Sequence, residues 1–319
     1  MKILITGGLG FIGSKVIEIL SQDGHMITCV DNKDTYDLIS TIELNKLIAW
    51  RTRNWDSKNV SVIEGDLLDR DFCLKVFKTR PDVVIHMATY PRAKIVDENP
   101  IVGIPKVIDT TTNVLWHATR FGAKKFIYIS SSMVYGHFKD GTREDSDTKP
   151  QNIYGEAKLT GERLTKLFAQ RDGLNYAIVR PSGVYGPGDL PDRVVSKFFV
   201  KAMANKTIEL HNGDNKVDLT YRQDAADGII KAALSEVANT SFNITAGNAT
   251  SLRTLAETII DITGSDSEVK DVGMHKLYPL RGTLDISRAR DLLQYEPKFS
   301  LRQGLESYHE WIRQYTGQV

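Results

Sequence analysis

Residues 2–13 read KILITGGLGFIG, and the fold follows from them. Lys2–Thr6 is short and apolar on both faces, the mark of a strand buried inside a parallel sheet. It runs straight into Gly7, Gly8, Gly10 and Gly13, then into an amphipathic helical pattern over Phe11–Gln22. Gly8, Gly10 and Gly13 fit G-x-G-x-x-G; Gly7, Gly10 and Gly13 fit G-x-x-G-x-x-G. The physical demand is the same for both. A tight turn needs a residue free to take positive φ, and a backbone approaching a pyrophosphate can carry no Cβ there. The last glycine lets the helix lie close to the sheet. The start of that helix, with Phe11 and Ile12, then faces the phosphates.

Asp31 closes the next strand pattern, Met26–Asp31 (MITCVD), 18 residues after Gly13. A carboxylate there can accept both hydroxyls of an adenosine ribose and repels a 2′-phosphate, which predicts NAD. Asn32 stands beside it. Lys33 is the nearby cation that would favour NADP. Beyond the strand Val60–Glu64, Asp66 and Leu67 either hold an adenine or form an ordinary turn.

The strand–helix rhythm continues with strands at 83–87, 125–130 and 175–180 and helical patterns at 71–78 and 152–170. Repeated βαβ order predicts an α/β doubly wound parallel sheet over residues 1–180, with helices on both faces. After Pro181 the rhythm changes. Helices are expected at 194–204, 224–234 and 251–262, with short strands at 207–210 and 241–244. That predicts a smaller α/β lobe over residues 181–319, from which the chain returns to the first domain. Residues 136–150 are polar and turn-rich and read as a surface loop.

The 319 residues suffice for one large domain or two fused ones. Lys and Arg total 41 against 40 Asp and Glu, and that balance excludes a dedicated nucleic-acid binder. A 41% hydrophobic and 25% charged chain is not disordered. Cys29 and Cys73 are too few for a disulfide framework and are expected as small buried residues. No run of 18 apolar residues predicts a membrane span, and the glycines after Thr6 break any leader pattern. A cytoplasmic enzyme is the expectation. No Cys, His and carboxylate spacing suggests a metal. His86, inside an apolar strand, reads as a core histidine.

Tyr154 and Lys158 stand at i and i+4 on one face of the 152–170 helix. A tyrosine that works as a base at neutral pH needs its pKa lowered by roughly 3, about 4 kcal/mol. A neighbouring ammonium and a cationic nicotinamide ring can supply this. The Tyr-x-x-x-Lys spacing recurs at Tyr90 and Tyr135, but there a proline or a glycine follows the tyrosine. Ser130, Ser131 and Ser132 stand at the end of the 125–130 strand, where such sheets bind ligands. A serine hydroxyl there can hold a substrate oxygen as its proton leaves.

TGGLGFIG at residues 6–13, SSSMVYG at 130–136, YGEAK at 154–158 and RPSGVYGP at 180–187 together resemble the extended short-chain dehydrogenase/reductase family. The closer likeness is to its NAD-dependent epimerase/dehydratase branch. The resemblance runs from Met1 to about Trp311. It implies a Rossmann domain carrying NAD, with Met87, Ala88, Thr89 and Pro181 along the cofactor. It also implies catalysis by Ser131, Tyr154 and Lys158 on a nucleoside-diphosphate sugar. Tyr154 would take a hydroxyl proton while hydride passes to the nicotinamide, forming a keto sugar. Helices near 101–120 and 152–170 form a homodimer face in this family.

Several positions depart from the family pattern. The branch's 4,6-dehydratases carry acids directly after the catalytic serine or threonine, where this chain has Ser132 and Met133. Without a carboxylate, elimination lacks its acid and base. Hydride-only chemistry is therefore expected: epimerisation, most simply at C4, or else plain oxidation or reduction. Gly183 stands where many members have a sugar-nucleotide Asn, and Val217 where many have a phosphate-binding Arg. Arg222 could replace the latter, and Arg281 is the second expected phosphate arginine. Ile108 lies near the place of a further usual Asn. Arg92 either meets a substrate phosphate or is solvated.

Overall fold

The computed structural model describes residues 1–90, 93–273 and 279–316. The first half alternates as β1 (Lys2–Thr6), α1 (Phe11–Gln22), β2 (Met26–Asp31), α2 (Thr41–Thr52), β3 (Val60–Glu64), α3 (Arg70–Phe77), β4 (Val83–His86), α4 (Ala93–Glu98), α5 (Pro100–Arg120), β5 (Lys125–Ile129), α6 (Ile153–Asp172) and β6 (Asn175–Pro181). The second half holds α7 (Val194–Met203), β7 (Ile208–Leu210), β8 (Lys216–Asp218), α8 (Arg222–Leu234), β9 (Thr240–Ile244), β10 (Ala249–Ser251), α9 (Leu252–Thr263), β11 (Val269–Asp271), α10 (Ser287–Leu293) and α11 (Leu301–Thr316).

Seven parallel strands form one sheet in the order β3-β2-β1-β4-β5-β6-β9. Alternate side chains feed two separate cores, as the period of a strand requires. Ile3 and Ile5 pack with Val16, Ile17, Ile229 and Phe242 on one face. Leu4 packs with Phe77, Val114, Phe126 and Phe168 on the other. A further core, from Phe199, Ile208, Leu255, Ile259 and Tyr308, lies in the second half. Both cysteines are buried and free. No helix among the described residues is long and apolar enough to cross a membrane.

Three features differ from the sequence reading. The 241–244 strand belongs to the main sheet: as β9 it pairs with β6, Ala177 opposite Thr240 and Pro181 opposite Ile244. Helix α2 went unread because its buried residues, Leu44, Leu47 and Arg51, make no apolar stripe; a reciprocal cap between Ser40 and Glu43 starts it instead. The 136–150 segment is not merely a surface loop. Glu144 is buried and its Oε1 accepts from Asn243 N at 2.9 Å, while its carbonyl accepts from Arg180 Nη1 at 2.9 Å.

That segment leaves the site at Gly136, whose φ is +69°. A Cβ there would lie 1.9 Å from the Lys149 carbonyl oxygen. Gly136→Ala is expected to lower unfolding free energy by about 2 kcal/mol or more, from left-handed strain plus the clash. Urea denaturation of the two proteins checks this.

Candidate active site

The C-terminal ends of β1, β2, β4, β5 and β6 open into one cavity of about 240 Å³. Gly7, Gly10, Phe11, Ile12 and Gly13 form its floor, and Asp31, Met87, Ala88, Thr89, Ser131, Tyr154, Lys158, Pro181 and Gly183 line its walls. The glycines are needed at contact. A Cβ on Gly13 would come 2.4 Å from the Gly7 carbonyl oxygen, and one on Gly7 2.8 Å from Ala88 N. Thr6 fixes the adjoining strand ends: its Oγ1 accepts from Met87 N at 3.2 Å and Ala88 N at 3.1 Å. His86 is bridged between Thr6 Oγ1 at 2.7 Å and Thr111 Oγ1 at 3.0 Å. Burial pulls its pKa down to about 3, so the ring is neutral.

Asp31 Oδ2 accepts from Leu9 N at 3.0 Å and Oδ1 from Lys33 N at 2.8 Å. Burial raises its pKa, against those two bonds and the charges of Arg51 and Lys33. The Lys33 ammonium is 2.5 Å from Glu64 Oε2, an ion pair that points its charge toward β3. A cradle that a Cβ would fill, next to a strand-end carboxylate, fits a dinucleotide with free ribose hydroxyls.

Tyr154 and Lys158 share one face of α6, which Asn152 starts by accepting from Gly155 N at 2.8 Å. Lys158 is 3% exposed, and its Nζ donates to the Ile129 carbonyl at 2.8 Å and lies 5.0 Å over the Tyr128 ring. Burial draws its pKa down to about 7, with Glu162 opposing. Among the three serines, Ser130 gives its hydroxyl to Glu162 at 2.6 Å. Ser131 caps the short turn that follows, its Oγ accepting from Met133 N at 3.2 Å, and it faces the cavity.

Other expected site residues stand elsewhere. Ser132 and Met133 are buried under the turn and do not line the cavity. Arg222 is not aimed at a substrate phosphate. It is buried, and it donates to Phe11 O at 2.6 Å, Ser14 Oγ at 2.6 Å and Pro187 O at 3.1 Å, which engage all three of its guanidinium nitrogens. Arg281 also lies outside the cavity, on a stretch held to the 137–140 segment through Leu280 N to His137 and Thr283 N to Asp140. Asn32 and Asp66 are exposed turn residues, bonded to Asp34 N and Leu68 N. Leu67 is buried in the α3 and α5 core. Arg92 lies outside the described residues.

The sequence reading missed Arg51 and Arg193. Arg51, 4% exposed, lines the cavity and donates to Leu9 O at 3.2 Å and Gly188 O at 2.9 Å. Arg193 lines it too, 3.2 Å from Asp189. A guanidinium in an unread helix and another just before α7 carry no local motif. The two departures at Gly183 and Val217 are in contact: a Cβ on Gly183 would lie 2.8 Å from Val217 Cγ1.

Residues 3–245 match the model of the NAD dependent epimerase/dehydratase family. The chain belongs to this family. It is 30% identical over 318 residues to a UDP-glucuronate 4-epimerase of Thermodesulfobacterium geofontis, covering 98% of this chain and 96% of that one. It is 31% identical to a UDP-N-acetyl-alpha-D-glucosaminuronate decarboxylase of Bacillus cytotoxicus, covering 98% of each chain. The crystal structure of UDP-glucuronic acid 4-epimerase from Bacillus cereus, in complex with UDP-glucuronic acid and NAD, superposes with a TM-score of 0.90. That pair is 27% identical, over 99% of this chain and all of that one. The protein is thus an NAD-dependent enzyme of the extended short-chain dehydrogenase/reductase type.

Asp31→Asn removes the charge and keeps the acceptor. The variant is expected to lose at least tenfold of the preference for NADH over NADPH, about 1.4 kcal/mol. Nicotinamide fluorescence titration of both proteins measures it.

Proposed function

We propose that the protein is a nucleotide-sugar 4-epimerase working through a transient 4-keto sugar. The observation that carries this reading is the convergence of Ser131, Tyr154 and Lys158 on the wall of the glycine-floored cavity. Bound NAD supplies the hydride acceptor and donor. Tyr154, as phenolate, takes the C4 hydroxyl proton. Ser131 holds the same oxygen, and the Lys158 ammonium keeps the phenolate ionised. Turning the keto sugar over before hydride returns inverts C4, and Tyr154 gives its proton back. Net dehydrogenation without inversion is the alternative.

The substrate in this reading is a nucleoside-diphosphate hexose or hexuronate. The relatives named above act, by their names, on UDP-linked uronates, which supports a uronate. The decarboxylase among them favours a second reading, in which a 4-keto uronate loses carbon dioxide before the hydride returns. Water elimination is disfavoured. Ser132 and Met133 do not ionise at useful pH, and no acid of the 136–150 segment lines the cavity. Glu144 is turned to Asn243, and Asp140 is paired with Lys216 at 3.0 Å. A cytoplasmic homodimer completes the proposal. Ile101, Val102 and Trp116 on α5 and Leu167 on α6 are exposed apolar residues that a second copy would cover.

Tyr154→Phe keeps the ring and removes the ionisable oxygen. Activity is expected to fall by roughly 10²–10⁴-fold with NAD affinity nearly unchanged. Wild-type turnover in that variant would contradict the mechanism. A second test incubates the enzyme with UDP-glucose or UDP-glucuronate in deuterated water and weighs the products. An epimer of unchanged mass, free of carbon-bound deuterium, is expected. A product lighter by carbon dioxide would favour the second reading. One lighter by water, with deuterium at a C6 methyl, would show a dehydratase.

A further inference from the structure

One turn beyond Lys158, α6 buries an acid that the proposed reaction does not use. Glu162 is 1% exposed. Its Oε1 accepts from the Ser130 hydroxyl at 2.6 Å and Arg180 Nε at 2.8 Å, and its Oε2 from Arg180 Nη2 at 2.6 Å. Arg180 reaches onward through Nη1 to the Tyr135 hydroxyl at 2.9 Å. An ion pair this deep is no gain in stability over well-packed apolar residues of the same volume. Its presence directly beneath the reacting face calls for another reason.

We propose that Glu162 is a positioning residue: its carboxylate keeps the Lys158 ammonium charged in an apolar setting, and through Ser130 it fixes the strand end that carries Ser131. The proposal rests on Tyr154 being the base. The i and i+4 spacing puts Glu162 and Lys158 on one helix face, both almost wholly buried. The other neighbours of Lys158, the Ile129 carbonyl and the Tyr128 ring, favour an ammonium but bear no full charge.

The remaining titratable groups around this pair do not take over the task. From β4, His86 is neutral. From β5, burial pushes the Tyr128 phenol far up, and from β6, Tyr176 is also raised. From the turn after β5, Tyr135 is pushed up to about 12, so these phenols stay uncharged. From the 136–150 segment, Glu144 faces Asn243 N and Arg288, 3.6 Å away. From β6, Arg180 is the cation that meets Glu162 itself. Among the described residues, Glu162 is the buried carboxylate that shares the helix face of Lys158 one turn away. Without it, burial would draw the Lys158 pKa lower still, and the Tyr154 phenolate would lose more of its counter-charge at neutral pH.

The test uses NAD-saturated enzyme and needs no sugar. The phenolate absorbance of Tyr154 is read as the difference between each protein and the same protein carrying Tyr154→Phe, from about pH 5.5 to 10.5. Glu162→Gln is expected to raise the Tyr154 midpoint by at least one pH unit. With substrate, it should cut kcat/KM at pH 7 by tenfold or more and recover toward pH 9. Glu162→Gln combined with Arg180→Met leaves no lone buried guanidinium, so it serves if the single variant does not fold. It should shift the midpoint the same way. Midpoints unmoved in the folded variants overturn the proposal, even where activity is low, because a merely structural role lowers activity alike at every pH. A wild-type midpoint near 10, the ordinary tyrosine value, would overturn the base reading and the proposal with it. A low wild-type midpoint with unmoved variants would sink the proposal alone.

Discussion

Two buried guanidinium groups set the distance between the walls of the cavity. Arg51 joins the Leu9 carbonyl to that of Gly188, and Arg222 joins those of Phe11 and Pro187. Each takes one acceptor from the glycine turn and one from the loop after β6. Both are desolvated enough to lower their pKa, Arg51 to about 10 and Arg222 to about 9. A buried charge with poor partners costs several kcal/mol, so these carbonyls cannot drift without penalty. The start of the first βα unit and the loop after β6 are thereby tied together, although 137 residues separate Arg51 from Gly188.

How much of this was legible in the sequence depends on the range of each interaction. The strands β1, β2 and β3 and the helix α1 stand where their patterns place them, because a buried strand and an amphipathic helix declare themselves locally. Gly7, Gly10, Gly13 and Asp31 were equally plain, since the turn's backbone needs dictate the residue types. Tyr154 and Lys158 stood apart from two similar spacings by their long helical pattern, whereas choosing Ser131 among three serines needed the family likeness. The remainder depends on contacts across the fold. Arg222 was read as a possible stand-in for a phosphate-binding arginine, yet two of its partners lie 208 and 211 residues away. The place of β9 beside β6 could not be read, because nothing within a five-residue strand says which sheet it joins.

The interior around α6 is arranged so that charge appears where chemistry wants it. Neutral phenols and a neutral imidazole surround one lysine, one acid and one arginine. In so dry a setting each charge is felt strongly. The face of α6 that lines the cavity is therefore backed by a buried ion pair, Glu162 with Arg180.

Gly183 and Val217 have an evolutionary consequence. The φ of +48° at Gly183 is one that asparagine tolerates better than most residues, so the backbone there still suits the family's usual side chain. A Cβ there would lie 2.8 Å from the Val217 methyl and 2.9 Å from the Asp218 carbonyl oxygen. An Asn at 183 meets the valine first. The two sites are therefore coupled through a contact, and a larger residue at 183 also needs the Asp218 backbone to give way. A lineage moving between this chain's pattern and the usual one must shift the backbone around 218 as well as exchange side chains.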